Sequence, residues 1–177
     1  MKKYSIVIVV VLFLGILYFI FAPKQDFAQS KAIFLDKIAI FSATAKEYQK
    51  FGPGTFCRAT NGYEVNGDFF NIKANKFFVG GGPVGGDTET TYENLLKNVG
   101  LTNEQFKYFK NFLDQNDFVR CIYAVRTSSF NAVEFQLSYN TIDSTYYSFL
   151  YTEDIFNQQI YSSVETLSNQ WYFIKSK

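Results

Sequence analysis

A glycine-rich segment, Phe77–Asp87, has the spacing in this chain that is closest to a ligand-binding motif. Gly80, Gly82 and Gly85 have the spacing G-x-G-x-x-G. In dinucleotide-binding proteins, glycines at this spacing form a strand-to-helix turn whose backbone lies close to the pyrophosphate of the ligand. That site also requires a second parallel strand with an acidic residue about 20 positions later, where this sequence instead predicts a helix. We therefore predict that the chain binds neither a nucleotide nor another cofactor. The segment is interpreted as a turn leaving a strand or as an exposed loop that contacts a partner; it comprises Gly80, Gly81, Gly82, Pro83, Val84, Gly85 and Gly86.

Two cysteines, Cys57 and Cys121, and the lack of any histidine limit the remaining chemistry. Without histidine, neither a Ser-His-Asp nor a Cys-His catalytic arrangement can form within the chain. An even number of cysteines in an oxidising compartment favours a disulfide. A Cys57–Cys121 bridge would close a loop of about 65 residues and stabilise the fold by about 4 kcal/mol. Two buried free thiols in a reduced protein are the alternative.

Acidic side chains offer two further kinds of site. Asp143, Glu153 and Asp154 are close in sequence but lack the spacing of a calcium loop. Solvated loop charges are therefore the favoured interpretation, and no metal site is predicted. Glu134 and Glu153 could act as the carboxylate pair of a glycoside hydrolase, but their spacing does not select them, so no catalytic residue is predicted.

Aromatic residues near the C-terminus could form a platform that stacks on sugars. Aromatic residues that alternate along strands more often belong to the core, which is the favoured interpretation. The platform candidates are Tyr146, Tyr147, Tyr151, Tyr161, Trp171 and Tyr172.

The N-terminal residues predict a membrane anchor. From Tyr4 to Ala22 there are 19 residues without a charge, close to the roughly 20 apolar residues of a spanning helix. The apolar region of a cleaved signal peptide is shorter, about 7–15 residues. We predict an uncleaved signal-anchor over residues 4–23, with a cleaved signal peptide as the alternative. Lys2 and Lys3 place residues 1–3 in the cytoplasm by the positive-inside rule, so the bulk of the chain would lie in the periplasm or at the cell surface.

The anchor is followed by the pattern of an amphipathic helix. Apolar residues recur at helical spacing over residues 27–50, and Gly52-Pro53-Gly54 would end the helix. Residues 24–54 are thus predicted to form a juxtamembrane helix and turn. Residues 55–177 are predicted to be an extracytoplasmic α+β domain that packs with this helix as one unit.

Residues 55–79 have the pattern of short strands separated by turns. Gly62 and Asn66-Gly67 are turn signals between aromatic runs. A further hairpin is predicted around Ala74-Asn75.

Two helices are predicted after the glycine-rich segment, over residues 89–98 and 103–115. Gly100 is placed where a glycine commonly ends a helix. Thr102 and Gln105 have the spacing of a capping box at the start of the second helix.

The C-terminal third has mostly the alternation of strands. Val119, Cys121, Tyr123 and Val125 are predicted to share one face. Helices and strands that come in runs rather than alternating indicate an α+β fold, here with a helical pair packed on an antiparallel sheet. The predicted elements are strands over 118–126, 132–139, 146–151 and 171–175, and a short helix near 162–168.

Charge and composition exclude some classes of partner. The net charge is +1, and aromatic residues make up 20% of the chain. Because no basic run occurs, we predict no nucleic-acid binding and no strong attraction to an anionic lipid surface.

The first part of the chain resembles a type IV pilin. "IVVVLFLGILYFIFAP" followed by "KQDFAQSKAIFLDKIAIF" is similar to the apolar and amphipathic halves of a pilin helix, with Pro23 at a comparable position. The resemblance covers about residues 6–50 and implies a helix under an antiparallel sheet. The Gly-Phe processing site and the glutamate near the start of the apolar run, which carry pilin maturation and assembly, are missing.

These observations together predict a binding or accessory protein of the cell envelope, attached to the membrane through residues 4–23. Its expected partner is a protein. The alternatives are a pilin-like structural subunit, an immunity-type or inhibitor protein, and an envelope hydrolase that uses carboxylates.

Overall fold

The computed structural model describes residues 27–80, 88–126, 130–137, 146–154 and 161–176. Contacts divide the chain into two compact units, Met1–Ile33 and Phe34–Lys177. Of the first unit, residues 27–33 are described, and they are helical. The predicted anchor and the predicted cytoplasmic end lie outside the described residues. No helix in the described ranges is long and apolar enough to cross a membrane.

The predicted amphipathic helix is present as two helices, α1 (Phe27–Asp36) and α2 (Ile38–Phe51). The break is at Lys37, where the backbone has φ −104° and ψ 14°. The Lys37 N–H donates to the Phe34 oxygen at 3.0 Å, a bond to the third rather than the fourth preceding residue, which tightens the turn. The second helix ends before Gly52, as predicted.

The domain is built on one antiparallel sheet with ten described strands. They are β1 (Thr55–Ala59), β2 (Gly62–Val65), β3 (Asp68–Asn71), β4 (Lys76–Val79), β5 (Thr88–Thr90), β6 (Val119–Arg126), β7 (Asn131–Leu137), β8 (Tyr147–Thr152), β9 (Ser163–Ser168) and β10 (Trp171–Lys175). Their order is β5-β4-β3-β2-β1-β6-β7-β8-β10-β9, and every neighbouring pair is antiparallel. The sheet therefore contains two meanders, β1–β5 and β6–β8, that meet where β1 pairs with β6. Beyond the second meander, β10 pairs with β8, and β9 forms the edge next to β10.

The two predicted helices between the meanders are confirmed as α3 (Tyr92–Val99) and α4 (Asn103–Gln115). Thr102 and Gln105 exchange side-chain-to-backbone bonds of 2.8 and 3.2 Å, so the capping box forms. Gly100 has φ 72°, a conformation that favours glycine at a helix end. The start predicted at residue 89 is wrong, because residues 88–90 pair with β4 as a strand.

In the first meander, two glycines occupy positions that a residue with a side chain would not easily take. Asn66 and Gly67 have φ of 52° and 87°, as the predicted two-residue hairpin turn requires. Residues 72–75 connect β3 to β4, so the second predicted hairpin is confirmed. Gly62 itself lies within β2, where a Cβ would come within 1.8 Å of the Phe70 carbonyl oxygen.

The predicted face of β6 is wrong in part. The register places Val119 opposite Leu137 but Cys121 opposite Gln136, with an irregularity between them. Because neighbouring residues of a strand point to opposite faces, this bulge at Arg120 puts Val119 on one face of the sheet and Cys121 on the other. A bulge depends on the register of the partner strand, which alternation within one strand does not reveal.

The short helix predicted near residues 162–168 is also wrong, because β9 occupies these residues. Val164 and Leu167 have helical spacing, but Val164 pairs with Ile174 of β10. Pairing along β10 therefore outweighed a weak helical pattern. The predicted strands over 146–151 and 171–175 are confirmed by β8 and β10.

Helices α2, α3 and α4 cover one face of the sheet, which we call the helix face, and this face is aromatic. Helix α2 packs against β7, α3 against β3 and β4, and α4 against β6. Phe34 stacks on Phe149 with ring centroids 4.1 Å apart, and Phe41 contacts Phe135 at 5.1 Å. The buried indole of Trp171 donates its N–H to α2 at 3.0 Å. The fold is therefore α+β, with its main core on the helix face and a second, outer face opposite.

Candidate functional site

Polar residues gather on the outer face near the centre of the sheet. An apolar cluster of Ala132, Leu150 and Ile174 occupies the part of this face that lies toward β10. The polar part is formed by two neighbouring rows across the strands: Cys57, Cys121, Gln136 and Ser148 in one, and Tyr123 and Glu134 in the other.

These rows border a concave surface of about 780 Å³, which we call the disulfide groove. A volume of this order is typical of ligand pockets, which span about 300–1,000 Å³. Both meanders contribute, since residues of β1, β2, β6 and β7 meet here. The groove is lined by Cys57, Arg58, Ala59, Thr60, Glu64, Asp117, Arg120, Cys121, Tyr123, Gln136 and Tyr146.

The predicted disulfide between Cys57 and Cys121 is confirmed. The two residues are directly opposite each other on β1 and β6, with Cα atoms 4.1 Å apart. The bridge thus joins the two meanders at their only shared strand pair among the described strands. It also forms part of the groove surface, so the groove depends on the pairing that the bridge secures.

Gln136 is a buried groove residue with a hydrogen-bonding group that no described residue uses. Its side chain is buried, with 8% exposed, and its Oε1 accepts a bond from the Tyr123 hydroxyl at 3.2 Å. Its amide nitrogen has no acceptor among the described residues. A buried donor left unpaired costs about 1–3 kcal/mol, so an acceptor from outside the described chain would relieve a real penalty.

Opposite charges border the groove. Arg120 and Glu64 are exposed, and neither forms an ion pair with a described residue. Arg58 differs, because its guanidinium donates to the carbonyl oxygens of Leu113, in the last turn of α4, and of Asp117, just after the helix. Those bonds satisfy helix-end acceptors and suit the helix dipole. Arg58 is therefore structural, whereas Arg120 and Glu64 are available to a ligand.

Tyr123 remains a hydrogen-bond donor at ordinary pH. Burial is the main cause that raises the pKa of its hydroxyl, and the negative charge of Glu134 raises it further. Arg120 acts in the opposite direction but does not prevail. The proton therefore stays on the oxygen that donates to Gln136 Oε1.

Glu134 lies beside the groove, directly opposite Tyr123 in the strand register. Burial raises the pKa of its carboxyl, while the Ser148 hydroxyl, which donates to it at 2.6 Å, lowers it in part. Tyr161 is affected in turn, since burial and the Glu134 charge raise its pKa to about 12. The folded chain therefore keeps this proton to higher pH than a free glutamate would, and a protonated carboxyl can donate as well as accept a hydrogen bond.

The structure does not bring the other acidic candidates to this site. Glu153 lies on the side of α2, where it accepts a bond from Tyr151 at 2.6 Å and pairs with Lys46 at 3.5 Å. Asp154 accepts the Asn131 N–H at 2.7 Å, and Asp143 is outside the described residues. Glu134 and Glu153 therefore do not face each other as a carboxylate pair. The described residues contain no group of three potential metal ligands of the His, Cys, Asp or Glu type.

The six aromatic candidates do not form one platform either. Tyr151 and Trp171 are buried on the helix face with ring centroids 5.1 Å apart, in agreement with the core interpretation. Tyr161 and Tyr172 pack against the apolar cluster of the outer face. Tyr147 stacks on Phe173, and Tyr146 lines the disulfide groove with 37% of its surface exposed.

Of the glycine-rich segment, the structure describes Gly80, whereas Gly81, Gly82, Pro83, Val84, Gly85 and Gly86 lie outside the described residues. Gly80 has φ 94°, and its N–H donates to Asp68 Oδ1 at 3.0 Å. The strands on either side, β4 and β5, pair antiparallel. The parallel strands of a dinucleotide fingerprint are therefore absent at this place in the described sheet.

Sequence patterns alone missed the groove. Glu64, Arg120 and Gln136 come from three strands, and only the register across β1 and the bulge of β6 brings them together. The one available signal was the polar side of the alternating segment 132–138, which resembles an ordinary solvent-facing side. Comparison of the chain with protein-family models, with curated proteins and with solved structures found no match.

Proposed function

We propose that this chain is a membrane-anchored extracytoplasmic binding protein that holds a polar peptide segment of a partner protein in the disulfide groove. The observation that carries the proposal is the buried amide nitrogen of Gln136, which lacks an acceptor among the described residues. A ligand that supplies a carbonyl oxygen there would gain a hydrogen bond and remove the penalty of an unpaired donor.

A peptide suits the rest of the groove. Its backbone offers a carbonyl at every residue, and its side chains can meet both Arg120 and Glu64. Tyr146 adds an aromatic surface of the kind that is enriched in binding sites. Since the two bordering charges are opposite, we expect a segment of mixed charge rather than a strongly acidic or basic one.

The compartment is part of the proposal. A disulfide persists in oxidising environments and is rare in the cytosol, which supports an extracytoplasmic domain. The uncharged stretch from Tyr4 to Ala22 supports attachment to a membrane. N-terminal sequencing of the mature protein tests the anchor, because a start near residues 23–29 would show that it is removed.

Site-specific photocrosslinking in native membranes tests the binding site. A photoreactive phenylalanine is placed at Tyr146 in the groove, or at Tyr108 on α4 as a matched control, since these tyrosines are 37% and 42% exposed. We expect the probe at residue 146 to capture one protein in stoichiometric amount and the probe at 108 to capture none. A ladder of self-crosslinks would instead favour the pilin-like subunit.

A second variant connects the capture to Gln136. Gln136→Leu keeps the side-chain volume but removes the amide, so the captured segment, made as a peptide, should bind the full-length protein at least tenfold more weakly, about 1.4 kcal/mol. The thermal midpoint should change little, because the lost bond from the Tyr123 hydroxyl is offset by the removal of an unpaired buried donor. Equal capture at both probe positions, or unchanged peptide affinity in the variant, would refute the groove as the binding site.

A further inference from the structure

A second concave surface lies on the helix face at the far end of the first meander. It has a volume of about 820 Å³ and is bordered by the β3–β4 connection, the start of α3 and one side of α4. We call it the hairpin pocket. None of its lining residues belongs to the disulfide groove, so the two surfaces can be tested separately.

The hairpin pocket has a rigid aromatic wall. The Tyr92 ring lies 5.2 Å from the Phe77 ring and 5.9 Å from the Phe106 ring, measured between centroids. The Tyr92 hydroxyl donates to the side-chain oxygen of Asn103 at 3.0 Å, which connects α3 to α4. Tyr92 is partly exposed, and Ile72 beside the pocket is 39% exposed. The ring contacts and this hydrogen bond therefore hold Tyr92 in place, and an apolar surface stays accessible to a ligand.

The rim of the hairpin pocket is polar and nearly neutral. Asn75 and Asn111 contribute exposed amide side chains, which form no side-chain hydrogen bond with described residues. Glu93 and Lys107 supply opposite charges. Lys110 is already paired with Asp114 at 2.7 Å, so the rim has no excess of positive charge that would favour an anion.

We infer that the hairpin pocket binds a neutral saccharide, one or two rings in size. A sugar ring has an apolar face of C–H groups, which would lie on Tyr92 and Ile72, and a border of hydroxyls, which would bond Asn75, Asn111 and Lys107. A pocket with a small apolar surface and a few placed hydrogen-bonding groups selects such a ligand over a wholly apolar one. This inference does not depend on the proposed peptide binding.

The test uses the full chain in phospholipid nanodiscs, because detergents with sugar headgroups would compete for the pocket. Cellobiose and N,N′-diacetylchitobiose are titrated and followed by saturation-transfer NMR, with N-acetylphenylalanine amide as an aromatic peptide comparator. We expect saturable binding of at least one disaccharide. Asn111→Ala should weaken it about 3–10-fold, the effect of one lost hydrogen bond, and Tyr92→Leu should abolish it.

Two controls keep the result specific to this pocket. Asn94→Ala removes a similarly exposed helix asparagine outside the pocket, and Gln136→Leu alters only the disulfide groove; neither should change sugar affinity. The inference is overturned if no disaccharide saturates, or if Asn111→Ala binds sugar as tightly as the natural chain. Binding of the aromatic amide alone would also overturn it in favour of a peptide side chain.

Discussion

The two faces of the central strands differ in what their side chains satisfy. On the helix face, aromatic rings such as Phe41 and Phe135 are fully buried and pack against one another. On the outer face, Gln136 retains an unused donor and Glu134 holds a carboxyl in a position that disfavours its charge. The helix face is thus organised for stability, whereas the outer face carries local penalties that a ligand could relieve.

The largest expected effect tests the helix face. Phe41 is fully buried and contacts several rings, so Phe41→Ala should lower the free energy of unfolding by about 5 kcal/mol, the upper end for such a change. Its neighbour Ile40, 52% exposed, is the control, and Ile40→Ala should stay within about 0.5 kcal/mol of the natural chain. Denaturant titration measures both, and similar losses would show that the aromatic layer is not the main core.

The second-largest loss of stability is expected when the disulfide is removed. Replacing Cys57 and Cys121 by alanine frees a loop with a sequence separation of 64, which should lower the free energy of unfolding by about 4 kcal/mol through unfolded-state entropy. Reductant added to the natural chain should reproduce the loss and should have no effect on the double variant. A loss below about 1 kcal/mol would show that the bridge constrains the unfolded chain little.

A smaller effect, with a distinctive pH dependence, is expected at Glu134. Its pKa is raised by burial in the folded state, so the folded chain keeps this proton to higher pH than the unfolded chain. The contribution of Glu134 to folding stability is fully present below the pKa that it has in the unfolded chain, and this contribution is lost as pH rises through the pKa that it has in the folded chain. Glu134→Gln should therefore match the natural chain near pH 4 and exceed its thermal midpoint increasingly toward pH 8. A constant difference across this range would contradict the assignment.

The smallest effect, of opposite sign, is expected at Glu153 on the other side of the sheet. The bond from Tyr151 lowers the pKa of its carboxyl, so its contribution is present at neutral pH and is lost as pH falls through the folded pKa. Glu153→Gln should lower the free energy of unfolding at pH 7 by less than about 1 kcal/mol, as for an exposed pair, and the thermal midpoint should fall slightly with it. The difference should shrink as pH falls and vanish once Glu153 is protonated in the folded as well as the unfolded chain, as a series of thermal melts at decreasing pH can show.

Local signals predicted the local features well. The Thr102–Gln105 capping box, the Asn66-Gly67 turn and Gly100 depend on residues within a few positions of one another, and all three are present. The break at Lys37 and strand β9 were missed because packing and pairing outweighed weak periodicities there. The disulfide groove was missed for a stronger reason, since it exists only where residues far apart in sequence meet across a shifted register.

The position of the disulfide has a mechanical consequence. When the chain is stretched by its two ends, tension enters β1 at Cys57 and passes through the sulfur atoms to Cys121. The segment between the two cysteines, which spans a sequence separation of 64 and includes four strands and two helices, is bypassed. About 220 Å of extended chain would thus remain hidden from the applied force. In single-molecule extension, reduction of one bond should release that length, so the oxidised domain is a tether of limited stretch.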